Sequence, residues 1–590
     1  MGIKSPWNEL EKALGILYGL ALTILLMDIP YLHRLGIVVT VSRVSVVGVD
    51  NYLFTGVFHL DQLILWTILL SIAVLGALLY RERIWYLLTL LSLTGLLLLH
   101  FAVNPHILTY TGAIIVVILF IIFTKKKILR DTIWGVLATL TIFELIKIAY
   151  LAVKLFTGSY PWFAIPVYVN AVLTYYLWFL IPLVMALIAI YGFLSILTNM
   201  GILRRRPRIL EALVPLFPWK LSYSRSRNKE EEINRGAGRF SDKYLLVGIL
   251  FSIAMGVIPY APTLNPDLHP VNTDWVYYNK WLQDMVEGDY SVLFTRSDRP
   301  LYLILLYTVW LVTRVEPRAI AVYHNIFLFP LYTFSVYMLA KRVLGNRAAG
   351  YVALVTPFSP IFLSFIYGGF QANLFAISLV YLSLYFLLGS RREALLGSLL
   401  FITIMFIHEW TWTQYTFILT GYAVSRIISW RLGKIELEWR DKLLIYVLVA
   451  GYAIDLSKNL LFNMYSAVTV TGTAVSALKP MPYLDSIHFY TTIYTGGTLN
   501  NPLFYMISLI GLCAMGSPLL GLSITLSLIP VFISWNIFTY RLILNAPFTL
   551  LAGYGLCRVR PSTRVMLIVS LLGISLWKLY SIVPELPLTP

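Results

Sequence analysis

Charge is scarce in this 590-residue sequence: 12% of its residues are Asp, Glu, Lys or Arg, while 59% are apolar. A soluble globule of this length needs a larger polar skin, so a water-soluble fold is excluded. Cysteine is nearly missing. Cys513 and Cys557 lie in or at the end of apolar segments, which leaves neither a disulfide framework nor the spacing of a metal knot. Glutamine occurs only at 62, 283, 371 and 414, and few amides with few thiols are a mild mark of a thermophilic host. There is no P-loop, no dinucleotide-binding glycine fingerprint and no serine nucleophile elbow in a polar setting, which argues against a primary pump. Nor is there a fixed-period repeat, a heptad pattern or a low-complexity tract.

What is present is a succession of apolar runs of roughly 17 to 25 residues, the length a helix needs to cross about 30 Å of hydrocarbon. With a mean hydropathy of +0.78, the chain reads as an all-α, polytopic helical membrane protein. A β-barrel would alternate in segments of about ten residues instead. The first run, Ala13 to Ile29, has no small-residue cleavage site after it and reads as a retained helix. The net charge of +17 does not point to nucleic acid, because the Lys and Arg residues sit in short clusters beside apolar runs. That is the signature of positive-inside topology.

The first six runs begin near Ala13, Leu63, Ile84, Ile107, Thr132 and Val167, and the basic breaks at 81–85 and 125–130 follow even-numbered spans. The N-terminus is therefore expected in the cytoplasm. A basic, Gly/Pro-containing stretch at 204–242 reads as a cytoplasmic linker between a six-helix module of unassigned role (1–203) and a second module (243–590). Between two greasy stretches the second module carries an aromatic-rich outer segment, 261–298. The run "RPLYLILLYTVWLV" (299–312) is short, and counting it as a crossing would place "KRVLGNR" (341–347) outside. Read as a re-entrant or surface-lying helix, it leaves every later basic break cytoplasmic, giving about 17 crossings with an external C-terminus. The stretch at 36–54 alternates β-branched and polar residues and reads as a small hairpin.

Asp274 in "HPVNTDWVYYNKWLQDM" is set among Trp275, Tyr277, Tyr278 and Trp281, side chains suited to the headgroup interface. A partly desolvated carboxylate has a raised proton affinity, which suits a general base. Arg296, Arg299 and Arg541 are candidates to bind a phosphate, to which a planar guanidinium is well matched. His408 and Glu409 begin "HEWTWTQY", where position 412 is Trp, so a zinc protease motif fails. Gly368 and Gly369 permit close backbone approach, and Gln371 and Asn373 after them have amides suited to sugar hydroxyls, as an alternative to a simple turn. Glu144 with Lys147, and Asp455 with Lys458, are spaced i, i+3 and read first as structural pairs.

The order of these pieces resembles the GT-C glycosyltransferase superfamily over about residues 243–590. The resemblance rests on a first span, then "TDWVYYNKWLQDMVEGDYSVLF", then "RPLYLILLY" as a juxtamembrane helix, then "AKRVLGNRAAGYVALVTPFSPIFLSFIYGG" and "FIHEWTW". It implies an acidic residue of the first outer loop near the reacting centre, and Asp274 is the matching position. Many members carry a paired D-x-D or E-x-D there, whereas Asp274 stands alone and "EGD" (287–289) falls later. A divalent metal is thus left open as a cofactor.

The expectation is an inverting transfer on the outer face from a polyprenyl- or dolichyl-phosphate sugar. Asp274 would act as base, the arginines would hold the lipid phosphate, and Tyr277, Tyr278, His408, Glu409, Gln371 and Asn373 would contact substrate. The partners would be membrane lipid, that donor and an acceptor that is lipid, glycan or protein, with no nucleic acid. The rival readings are a secondary transporter using Asp455, Lys458, Glu144 and His408 along an ion path, and a non-catalytic subunit of an envelope assembly.

Overall fold

The computed structural model describes residues 126–157, 180–200, 238–476, 487, 490, 491, 496–515, 517–533 and 539–582, with 13, 16–18, 44–46, 49–51, 69–74, 89 and 92. Most of the runs beginning near Ala13, Leu63, Ile84 and Ile107, the break at 81–85 and the linker up to residue 237 lie outside the described residues. The expected hairpin is present: β1 (Val44–Val46) pairs antiparallel with β2 (Val49–Asn51), Val46 opposite Val49. The other elements described below are helices.

Among the described residues before the linker are α1 (Lys126–Thr157) and α2 (Leu180–Asn199). The basic break at 125–130 is not a loop from Lys126 onward. It forms the first turns of α1, which continues into an apolar run. After the linker come α3 (Gly238–Val257), α4 (Trp275–Val286) in the segment 261–298, α5 (Pro300–Thr313) and α6 (Pro317–Tyr323). They are followed by α7 (Asn325–Leu344), α8 (Asn346–Val355), α9 (Pro360–Gly368), α10 (Gln371–Leu387), α11 (Arg391–Ile407) and α12 (Glu409–Arg431). The last are α13 (Trp439–Phe462), α14 (Ala467–Ser476), α15 (Pro502–Ala514), α16 (Pro518–Ile533), α17 (Thr539–Leu544), α18 (Phe548–Arg558) and α19 (Pro561–Ile582).

Among the described residues five helices are long and apolar enough to cross a membrane: Trp134–Thr157, Ser241–Tyr260, Pro317–Leu344, Trp439–Phe462 and Pro561–Tyr580. A sixth is added if the pair Asn346–Phe358 and Pro360–Gly368, bent by 41°, is one broken span. The run after Arg299 is short, as expected. Its 14 helical residues rise about 21 Å, less than the hydrocarbon thickness.

The described core includes one continuous cluster, to which α1 and α2 belong. Leu137 of α1 and Ile181, Met185 and Ile188 of α2 share it with Tyr302, Tyr332, Trp412 and Phe548. α1 packs along α19, and α2 against α15 and α16. The Glu144–Lys147 pair closes at 2.7 Å inside this packing, so both charges are neutralised locally. Where α15 meets α18, a side chain on Gly511 would run into the backbone carbonyl of Leu551, so glycine is what lets these helices touch.

The basic breaks gather at one end of the bundle. Arg342 bridges Glu393 at 3.2 Å, Arg440 donates to the Gly389 carbonyl at 3.1 Å, and Lys341 lies 3.7 Å from Asp242 at the end of the linker. Arg564 donates to the Tyr351 hydroxyl at 2.6 Å. α7 leads from that end, at Lys341, back to His324 at the other. Its 20 residues rise about 30 Å.

Candidate functional site

His324 marks the end where the segment 261–298 folds over the bundle, and there Asp274 occupies the N-cap of α4. An aspartate in that position ordinarily accepts hydrogen bonds from first-turn amides. This one caps nothing. Among the described residues its carboxylate makes no hydrogen bond and no ion pair. Burial pushes the Asp274 carboxyl above its usual value of 3.8, against the opposing pull first of Arg541 and then of Arg299.

The backbone that holds Asp274 is fixed by the glycine turn between α9 and α10. Thr273 N donates to the Tyr367 carbonyl at 2.8 Å, and Asp274 N and Thr273 Oγ1 both donate to the Gly368 carbonyl at 3.1 Å. Gly369 is left-handed at φ 63°, and a Cβ there would stand 2.7 Å from Asn272 Cβ. The expected close approach is therefore made to the segment carrying Asp274.

Arg299 is held from three sides. Its Nε and Nη2 donate to Asp298 Oδ2 at 3.1 and 2.6 Å, its Nη1 donates to the Tyr278 hydroxyl at 2.9 Å, and its plane lies over Trp281. The Tyr278 hydroxyl also accepts from Ala372 N at 3.2 Å. Tyr278 is therefore a support for Arg299 rather than a surface for substrate. Tyr277 is 56% exposed and stacks on Trp281, leaving its ring available. Arg296 is exposed over the same Trp281, 4.9 Å from the ring centre. Arg541, in α17, lies over Trp410 at 5.7 Å.

"FIHEWTW" is a break between two helices, with His408 extended (φ −161°) between α11 and α12. Its Nδ1 lies 2.7 Å from Thr411 Oγ1 and 3.3 Å from Thr411 N, which fixes the ring over the first turn of α12. Arg299 and Arg541, the two guanidiniums that act on Asp274, act on His408 as well. Glu409 N donates to the Asp298 carbonyl at 2.9 Å, tying this break to the head of α5. Asp274, Arg299, Arg541 and His408 thus share one neighbourhood, built by four separate stretches of chain.

The other expected contacts turn inward. Gln371 accepts from the Tyr302 hydroxyl at 3.2 Å and donates to the Ala321 carbonyl, which leaves it fully engaged in packing. The Glu409 carboxylate is buried against Lys458, which also meets Asp455 at 3.2 Å. Asp455 in turn accepts from Ala467 N at 2.9 Å at the start of α14. Asn373 accepts from Thr411 Oγ1 at 2.5 Å, and its buried amide nitrogen has no partner among the described residues. "EGD" closes the end of α4, with Asp289 accepting from Ser291 N at 2.9 Å. No three His, Cys, Asp or Glu side chains cluster as metal ligands among the described residues.

The parts played by Asp298 and Thr411 went unread in the sequence, as did the joining of Glu409 to Asp455 and Lys458. Only Asp298 left a signal, in "RSDRP", where an acid precedes Arg299 directly. Neighbouring residues point apart on a helix, but here the pair sits in the turn before one. No protein-family model matches this chain, and no curated protein matches it in sequence.

Proposed function

We propose that the chain is a membrane glycosyltransferase of GT-C type, with residues 243–590 as its catalytic module in a protein of about 17 crossings. Its N-terminus faces the cytoplasm, and its C-terminus and site face outward. The observation that carries the reading is Asp274: a part-buried carboxylate, unpaired among the described residues, at a helix start it does not cap, with two guanidiniums in electrostatic reach. A structural aspartate takes a partner. A general base keeps its oxygens for substrate.

An acceptor hydroxyl gives its proton to Asp274 while its oxygen forms a bond to the anomeric carbon of a polyprenyl- or dolichyl-phosphate sugar. The bond from that carbon to the phosphate oxygen breaks, and its electron pair leaves with the lipid phosphate. Arg541 and Arg299 stabilise that charge. One base and direct displacement invert the anomeric centre, unlike the two-carboxylate retaining scheme. His408 Nε2 hydrogen-bonds to substrate, and Tyr277 offers a ring face for the sugar. The transporter reading is disfavoured because Glu144, Asp455 and Lys458 are all engaged in buried ion pairs.

The test is transfer from a panel of radiolabelled polyprenyl-phosphate sugars in proteoliposomes. Asp274→Asn keeps size and shape but accepts no proton, so transfer is expected to fall by roughly 10² to 10⁴ fold in a monodisperse protein. Asp274→Glu recovers little, because one methylene displaces the oxygen. Near-normal transfer by Asp274→Asn would remove this residue from the chemistry.

A further inference from the structure

We propose that Glu409, Asp455 and Lys458 form a buried clamp that shares one proton between its two carboxyl groups and positions Arg299 from behind. This does not depend on the transferase reading. Lys458, in α13, donates to the Glu409 carboxylate at the head of α12 and lies 3.2 Å from Asp455 Oδ1, one turn earlier on its own helix. Glu409, Asp455 and Lys458 are 0%, 3% and 4% exposed, so water screens none of these charges. One ammonium thus faces two carboxyl groups.

Among the described residues the other nearby cations are directed elsewhere. Arg299 is matched by Asp298 at 2.6 Å, and Arg541 and Arg299 act on Asp274 and His408. The Lys458 ammonium also lies over the Phe406 ring, 5.5 Å from its centre. With both carboxylates ionised, the clamp would hold an uncompensated negative charge out of water, which is strongly disfavoured. Two carboxyl groups that meet resolve this by keeping one proton between them. The oxygens are placed for it. Asp455 Oδ2 accepts from Ala467 N at 2.9 Å, its buried Oδ1 receives no hydrogen bond among the described residues, and Asp455 reaches Glu409 as a hydrogen-bond partner. Two carboxyl oxygens bond in this way only when one of them is protonated.

Two ties that hold the turn before α5 end on this clamp. Glu409 N donates to the Asp298 carbonyl at 2.9 Å, and Tyr465 N donates to Ser297 Oγ at 3.0 Å. The stretch around Tyr465 is itself fastened to α13, by Ala467 N on Asp455 and by Asn459 Nδ2, which donates to the Met464 carbonyl at 2.8 Å. Ser297 and Asp298 directly precede Arg299, whose guanidinium Asp298 also holds through its carboxylate. The balance of charge in the clamp therefore sets where the Arg299 backbone begins. A second full negative charge would push Glu409 and Asp455 apart, and with them the two ties.

Two measurements on the full chain in detergent test this. Infrared spectra in light and heavy water at neutral pH separate protonated carboxyl groups from carboxylates. Relative to the parent, Asp455→Asn and Glu409→Gln should each lack one protonated-carboxyl signal, because the carboxylate that remains is matched by Lys458. Parent intensity in either folded variant would overturn the shared proton. So would an unfolding temperature that sodium chloride raises above choline chloride in the parent and not in Asp455→Asn, since a metal cation would then occupy the clamp. Hydrogen–deuterium exchange reads the positioning. Asp455→Ala should speed amide exchange across 297–299 and 465–467 by about tenfold, and Lys458→Gln by at least as much. Arg342→Gln, which breaks an ion pair at the other end of the bundle, should leave both segments as in the parent. Parent-like exchange at 297–299 in Asp455→Ala, which keeps the Glu409–Lys458 pair, would overturn the clamp. Neither measurement reads sugar transfer, so the two proposals fail separately.

Discussion

Asp274 gains proton affinity from burial, and the sign of that shift sets two expectations. A base must be ionised to act, so transfer should fall as pH drops through its raised value, and the residual activity of Asp274→Asn should lack that acidic limb. A carboxyl whose folded value lies above the unfolded one opposes folding when ionised, from the unfolded value upward. Asp274→Asn should therefore leave the unfolding temperature in neutral detergent solution unchanged or higher. A clear fall would mark the residue as structural. The two arginines separate by the same reasoning. Arg299 serves Asp298 and Tyr278 at once, a task a lysine ammonium does not span, so Arg299→Lys should lower stability by about 1–2 kcal/mol as well as activity. Arg541→Lys should reduce transfer by roughly 10² fold with little change in thermal unfolding, as expected for a donor aimed at developing charge. Equal effects of both variants on stability would refute this division.

At the scale of elements, the site depends on a turn rather than on the helices it joins. Gly369, left-handed and packed on Asn272, sets the carbonyls that hold Thr273 and Asp274. Gly369→Ala adds a methyl where both φ and space oppose it, with an expected cost of about 1–3 kcal/mol. Thermal unfolding together with transfer reads both consequences, and a variant as stable and active as the parent would show that the turn is not needed. This dependence was half legible. "YGGF" announced a close backbone approach, while its partner 95 residues away did not appear in any local pattern. The break at "FIHEWTW" parts α11 from α12. It is a gap because His408 takes the N-cap of α12 with its own ring nitrogen.

For the whole molecule, the clustering of Arg342, Glu393, Arg440, Lys341 and Asp242 at one end and the Asp274 neighbourhood at the other fits the positive-inside arrangement. Cysteines introduced at Ser226 and Asn279 should label from opposite faces of intact membranes, and the same sidedness for both would overturn the topology. The packing of α1 and α2 on α15, α16 and α19 also bears on the first module. These two helices pack on the body that carries the site, across the linker that divides the sequence.

Hydropathy alone determined that this is a helical, membrane-type chain with a short apolar run at 299–312, because the lengths of helices and the cost of charge in lipid act locally. The residue types suited to a base and to phosphate binding were likewise plain in the sequence. Which of them stay available was decided only in three dimensions. Glu409 and Gln371 look as free as Asp274 in a string of letters, yet Lys458 and Tyr302 engage them, and Asp298 restrains Arg299. A buried polar group is held or left open by whichever partner the fold brings against it, and such partners come from distant segments that no spacing rule connects.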